Sequence, residues 1–266
     1  MRLRPAELVS GIVLLFLLVA AVAPQLLTFY DPLAIQPSDA FRAPSLLHWF
    51  GTDESGRDVY TRVIYGARSS LLIGVFATII GLGLALILGA IAGLGSRPVD
   101  FAVNRLLEVL FAFPGLLLAL LFITIFGVGV VTSTIAVGLA TAPGYARIIR
   151  TQIISTRRSG YVEAATILGR SRRAVFGRNI LPNVAWPLLA LATLGIGQAI
   201  VWASALSFLG LGAVPPAAEW GAMLSAGRTY MTNAWWLTFF PGIFVVLSAA
   251  AATVLGHSIQ RRNREL

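Results

Sequence analysis

Few residues in this sequence have the types and spacing to do chemistry, and none form an enzyme's set. There is no cysteine, which removes thiolate nucleophiles, disulfides and Cys metal sites. There is no lysine either, since all 20 basic residues are Arg. The phosphate-binding P-loop needs a Lys, so if ATP drives this protein, another chain binds it. His48 and His257 stand alone, and the apolar stretches hold no Ser–His, paired-Asp or His-Glu-x-x-His constellation. What remains is a polar stretch, 149–183, whose centre reads Ser159-Gly160-Tyr161-Val162-Glu163-Ala164-Ala165-Thr166-Ile167-Leu168-Gly169. Helix formers fill its middle, and Gly169 is placed to end the helix. At helical spacing Tyr161, Ala164, Ala165 and Leu168 share one face. Glu163 lies near the helix start, where the dipole favours a carboxylate. A short helix of this kind suits docking into a partner's groove. Its alanines permit close approach, and Glu163 is free to meet an Arg or a backbone N–H. The same spacing also suits an ordinary connecting helix.

The elements that must position this stretch are apolar. Hydrophobic residues make up 57% of the 266, and charged ones only 12%, against about 25% in a soluble domain. Six apolar stretches run over 8–30, 70–94, 106–126, 131–148, 184–208 and 235–256. Each approaches the length of about 20 residues that crosses a bilayer, and a lipid-embedded backbone must satisfy its own hydrogen bonds as helix. The first stretch, with Arg2 and Arg4 before it and Ala21-Val22-Ala23 inside it, has the outline of a signal peptide. Its apolar run continues through Leu26 and Leu27, so we expect a retained membrane anchor.

Arg placement orients the bundle. Arg2, Arg4, Arg97, Arg105, the cluster from Arg147 to Arg178, and Arg261, Arg262 and Arg264 fall on one side. Arg42, Arg57, Arg62, Arg68 and Arg228 fall on the other, among Asp31, Asp39, Asp53, Glu54, Asp58 and Glu219. Both termini and the 149–183 loop are therefore expected in the cytoplasm, and segment 31–69 outside. The net charge of +9 sits beside apolar spans, so it points to the membrane surface and away from nucleic acid.

Within the spans, Gly81, Ala85, Gly89 and Gly93 recur every fourth residue and predict a close helix-packing seam. Arg105 and Glu108, at i,i+3, are spaced to pair. Gln198 and Trp202, four apart in the fifth span, are candidates to line a pathway, although Gln198 equally suits a bond to a neighbouring helix. Asp53 and Asp58 near Arg57 and Arg62 predict a charged network at the outer surface. Trp220, Trp235 and Trp236 are placed as interfacial anchors. No carboxylate or His lies at mid-membrane, which disfavours an ion-coupled secondary transporter.

Glu163-Ala164-Ala165, then Gly169, then Leu181-Pro182 resembles the EAA signature of ABC importer permeases. Asn179 departs from it, standing where an aliphatic residue is frequent. Gly51-Thr52-Asp53, Gly56-Arg57-Asp58, Gly66, Arg68 and Ser70-Leu71 resemble the N-terminal block of the dipeptide, oligopeptide and nickel permeases, C-type subunit. So do Leu206-Ser207-Phe208-Leu209-Gly210-Leu211-Gly212, Pro215-Pro216, Trp220-Gly221, Met223-Leu224 and Phe240-Pro241-Gly242. At Gly256-His257-Ser258 the chain departs from the Gly-Asp-Gly of relatives.

The resemblance implies an all-α membrane protein of the type I importer permease fold, with six transmembrane helices and a cytoplasmic coupling helix. Its parts would be a tip and first span (1–30), an external segment (31–69), a five-helix core (70–257) with the EAA loop (149–183), and a tail (258–266). Tyr161, Glu163, Ala164, Ala165, Gly169, Leu181 and Pro182 would couple to an ATPase subunit. The implied partners are a homologous B-type permease, two ATPase domains carrying ATP and Mg, and an extracytoplasmic solute-binding protein. The chain itself would bind no cofactor and catalyse no reaction. It would sit in a bacterial inner membrane and pass peptides, or nickel chelates, glutathione or haem-like ligands.

Overall fold

The structure, a computed structural model, describes residues 5–265. Arg2 and Arg4, and the side chains of Arg172, Arg262 and Arg264, lie outside the described residues. The elements in chain order are α1 (Pro5–Val22), α2 (Val59–Leu94), α3 (Arg97–Phe111), α4 (Gly115–Phe126), α5 (Val130–Arg157), α6 (Gly160–Ile167) and α7 (Arg172–Val175). A π turn (Phe176–Ile180) follows, then α8 (Leu181–Phe208), α9 (Trp220–Gly227) and α10 (Trp236–Glu265).

α2 and α5 form the centre. Gly81, Ala85, Gly89 and Gly93 are all buried, and the three glycines of this row face α5. A Cβ on Gly89 would stand 2.9 Å from Ala146 O, and one on Gly93 would stand 2.8 Å from Ile153 Cγ2. α5 answers with Gly138, where a Cβ would lie 2.8 Å from Ala77 O. Two backbones approach this closely only where side chains are absent.

α2 starts at Val59, well before the apolar stretch that begins at 70. Asp58 caps it, its carboxylate accepting from Thr61 N at 2.8 Å. Of the polar residues before the apolar run, Thr61, Arg62 and Ser70 are buried by tertiary partners, while Arg68 and Ser69 face outward, and none of them breaks the helix.

The third apolar stretch is not one straight span. α3 and α4 meet at 95°. Pro114 has no N–H to continue the helix and disfavours helical backbone at Phe113, so the turn falls there.

Among the described residues α1, α2, Arg173–Phe208 and α10 are each long and apolar enough to cross a membrane, and the α3–α4 pair supplies a fifth candidate. α5 has 28 residues but carries Arg147, Arg150, Arg157 and many Ser, Thr and Gly. Most of its first half is buried against other helices. A helix sheathed by protein needs little apolar outer surface.

The polar segment 31–58 closes one end of the bundle through long-range bonds. Arg62, only 6% exposed, donates to Pro32 O (3.1 Å) and Pro216 O (3.2 Å), with Nε 3.6 Å from Asp53 Oδ2. His48 is not isolated, since its Nδ1 lies 2.9 Å from Asp58 Oδ1 with both groups buried.

The tryptophans divide. Trp235 is half exposed, as an anchor would be. Trp220 and Trp236 instead sit inside the protein, donating to Val63 O (2.9 Å) and Thr52 O (3.1 Å). An indole N–H that finds a buried carbonyl has no need of the membrane interface, so the anchor expectation fails for these two.

Candidate functional site

Two sites emerge, one at the end of the bundle away from segment 31–58 and one along the middle of α5 and α8. The first is α6. α5 ends at Arg157, whose Nη1 donates to Gly93 O at 2.6 Å, fixing the end of α5 on the end of α2. α6 follows after Arg158 and Ser159 and ends at Gly169, which has φ +76°. Gly169 N donates to Thr166 O (3.0 Å) and Arg170 N to Ala165 O (3.2 Å), the paired bonds of a Schellman stop.

Val162 and Ala165 turn inward, each 5% exposed, and pack with Ile149, Ile153, Val175 and Ile180. Tyr161, Glu163, Ala164, Ile167 and Leu168 face outward. The sequence face of Tyr161, Ala164, Ala165 and Leu168 is thus split. Ala165 is small because α6 lies against its own chain, whereas Ala164 leaves the outer surface low. Ile167, at 79% exposure, joins that surface unforeseen.

Beyond α6, Leu181-Pro182 lies at the entry to α8. Proline inside a continuous helix removes one backbone bond and crowds the preceding turn. The backbone relieves this with the π turn Phe176–Ile180, in which Leu181 N reaches Phe176 O. Asn179 falls in that turn. Asn183 Nδ2 donates to its carbonyl at 2.7 Å, and its own Oδ1 is buried without a partner among the described residues.

The second site is a cleft of about 580 Å³ between α3, α4, α5 and α8. Gln198 and Trp202 both line it. Tyr145 Oη donates to Gln198 Oε1 at 3.4 Å, so Gln198 bonds a neighbouring helix while still facing the cleft. Trp202 brings the outer edge of its indole against the α3–α4 break, where a Cβ on Gly115 would collide with it. Phe113, Pro114 and Gly115 form the wall at the break, and Phe111 and Arg147 complete it, the Arg147 guanidinium 4.8 Å from the centre of the Phe111 ring. Arg147, Tyr145 and the break escaped the sequence reading. The Pro114-Gly115 pair inside an apolar run was the available signal for the break. The α3 pair expected from spacing is present, Arg105 Nη1 lying 3.1 Å from Glu108 Oε2. Among the described residues no group of His, Asp and Glu has the makings of a metal site.

The bent α3–α4 pair, the α2–α5 seam and the short α6 between α5 and α8 make a helical membrane bundle. The fold is shared with solved ABC transporters. An amino acid ABC transporter crystallised with histidines aligns with a TM-score of 0.61 at 18% identity, over 76% of this chain and 94% of that one. The MetNI methionine ABC transporter in an inward-facing form aligns at 0.57 and 16%, over 74% and 95%.

Residues 85–265 match the family described as binding-protein-dependent transport system inner membrane component, and the chain belongs to that family. It is 39% identical over 245 residues to the dipeptide transport system permease protein DppC of Alkalihalophilus pseudofirmus, covering 92% of this chain and 80% of that one. It is 34% identical over 256 residues to the probable D,D-dipeptide transport system permease protein DdpC of Escherichia coli, covering 96% and 86%. It is 35% identical over 252 residues to the glutathione transport system permease protein GsiD of Pectobacterium atrosepticum, covering 94% and 84%.

Proposed function

We propose that this chain forms one half of the translocation pathway of an ATP-driven peptide importer, with α6 as the helix that couples it to an ATPase subunit. The observation that carries the coupling role is the outward face of α6. Tyr161, Ala164, Ile167 and Leu168 present apolar and small groups at the bundle end, with the acidic Glu163 beside them. An exposed apolar face on a polar loop invites a partner.

The peptide assignment is supported by the names of relatives that match most of the chain. The second half of the pathway is a homologous B-type permease, which covers the open side of the cleft. Two ATPase domains hold the ATP and Mg, and an external binding protein delivers the solute. α5 counts as the sixth span, sheltered by α2, α4 and α8. Both termini lie in the cytoplasm, and the meeting of the two chain ends, Ser258 Oγ to Glu7 Oε1 at 2.9 Å, supports placing them on one side.

The test is affinity purification of this chain from native membranes. An ATPase subunit and a second permease should come with it. The purified complex in proteoliposomes should take up a dipeptide only when ATP and the binding protein are supplied. Recovery of the chain alone, with uptake driven by an ion gradient, would overturn the proposal.

A further inference from the structure

The cleft contains a cation with no acid to neutralise it. Arg147 lies on α5, ten residues before its end, in a largely apolar wall that includes Leu110, Phe111, Phe113, Pro114 and Trp202, with Thr141, Tyr145 and Gln198 its polar members. The carboxylates of the adjoining α3 are already committed. Asp100 grips Arg150 at 2.5 and 2.7 Å, and Glu108 takes Arg105 at 3.1 Å and Asn104 at 2.7 Å. Among the described residues no carboxylate pairs with Arg147.

Arg147 is exposed to the cleft beside these apolar walls, and ionisable groups that face a cavity within a membrane bundle mark substrate paths. Its geometry is suited to an anion. Its Cζ lies over the Phe111 ring, none of its N–H groups is engaged by a carboxylate among the described residues, and a guanidinium presents paired N–H groups that match the two oxygens of a carboxylate. Two further features of the cleft favour negative charge. α4 begins in its wall with no side-chain cap, so the positive end of a broken helix is turned to the same space. Gln198, whose Oε1 is occupied by Tyr145, keeps its amide N–H groups to donate.

Resting on the reading of this chain as a peptide permease half, we infer that Arg147 is a specificity-determining contact that receives the carboxylate of the passing solute. Trp202, Phe111 and Phe113 accommodate its apolar side chains. The cleft then selects solutes that carry a carboxylate, whatever their side chains.

The test uses the whole importer, with partner permease, ATPases and binding protein, in proteoliposomes with a radiolabelled dipeptide whose C-terminal carboxylate is free. Arg147→Gln should lower uptake at least tenfold. Arg147→Lys, which keeps the charge, should retain at least a third of wild-type uptake. The partner subunits should co-purify in normal proportion with both. Uptake by Arg147→Gln within twofold of wild type would overturn the inference, as would Arg147→Lys performing no better than Arg147→Gln. Loss of the partner permease from the Arg147→Gln complex would make Arg147 an assembly contact and overturn it too. A wild-type complex that carries no dipeptide would instead sink the peptide reading itself, before any variant is compared.

Discussion

Arg62 Nη2 donates to Pro216 O across 3.2 Å, joining the first turn of α2 to the loop between α8 and α9. The same guanidinium reaches Pro32 O and faces Asp53, so one buried side chain ties three distant segments together. Removing it leaves two carbonyls without their donor and takes one of two guanidinium neighbours from Asp53. We expect Arg62→Met to cost roughly 3 kcal/mol, the usual scale for breaking a buried charged contact. The measurement is thermal unfolding of the detergent-purified protein. A melting temperature equal to wild type would show that water replaces Arg62 at no cost.

The α2–α5 seam predicts a contrast between glycines of one helix. Gly89 and Gly93 face α5 with no room for a side chain, while Gly83 has nothing within 4 Å of a built Cβ. Gly89→Leu/Gly93→Leu should lower the yield of monodisperse protein in size-exclusion chromatography at least tenfold, each Leu overpacking the seam by about 1–3 kcal/mol. Gly83→Leu should behave as wild type. Equal yields from the two variants would remove the seam from the packing.

On α6 the two neighbouring alanines should respond differently. Ala165 is buried against its own chain and Ala164 is open. Ala165→Trp should lower the melting temperature of the permease itself. Ala164→Trp should leave that temperature unchanged and strip the ATPase subunit during co-purification. Glu163→Arg should do the same, because losing a charged interface partner commonly costs about 2–5 kcal/mol. Full ATPase recovery with Ala164→Trp and Glu163→Arg would take α6 out of the coupling contact.

The Arg asymmetry makes a topological prediction. A reporter fused after Arg158 should be cytoplasmic, and reporters fused after Asp53 or Trp220 should be external. An external Arg158 fusion would invert the bundle and place α6 beyond reach of ATP-binding subunits.

Local chemistry along the chain was enough to mark the long apolar helices, the small-residue row of α2, the short helix around Glu163 and its stop at Gly169. Each of these depends on residues within a few positions of one another. Apolar run length, four-residue spacing and the freedom of glycine to take φ +76° are all read along one strand of sequence.

Only the tertiary structure decided which way each side chain turned. Spacing placed Ala164 and Ala165 together, but Val175 and Ile180, brought in by the π turn, claim Ala165 for the interior. Trp220 and Trp236 have the composition of interfacial anchors, yet carbonyls of Val63 and Thr52, far off in sequence, accept their N–H groups inside. His48 gains Asp58 only because segment 31–58 folds back on the start of α2. Arg147 belongs by charge to the Arg-rich cluster expected in the cytoplasm, yet it lines the cleft over Phe111, a residue of another helix beside the 95° break. A helix's rotation about its own axis is fixed by what packs against it, and those partners come from elsewhere in the chain.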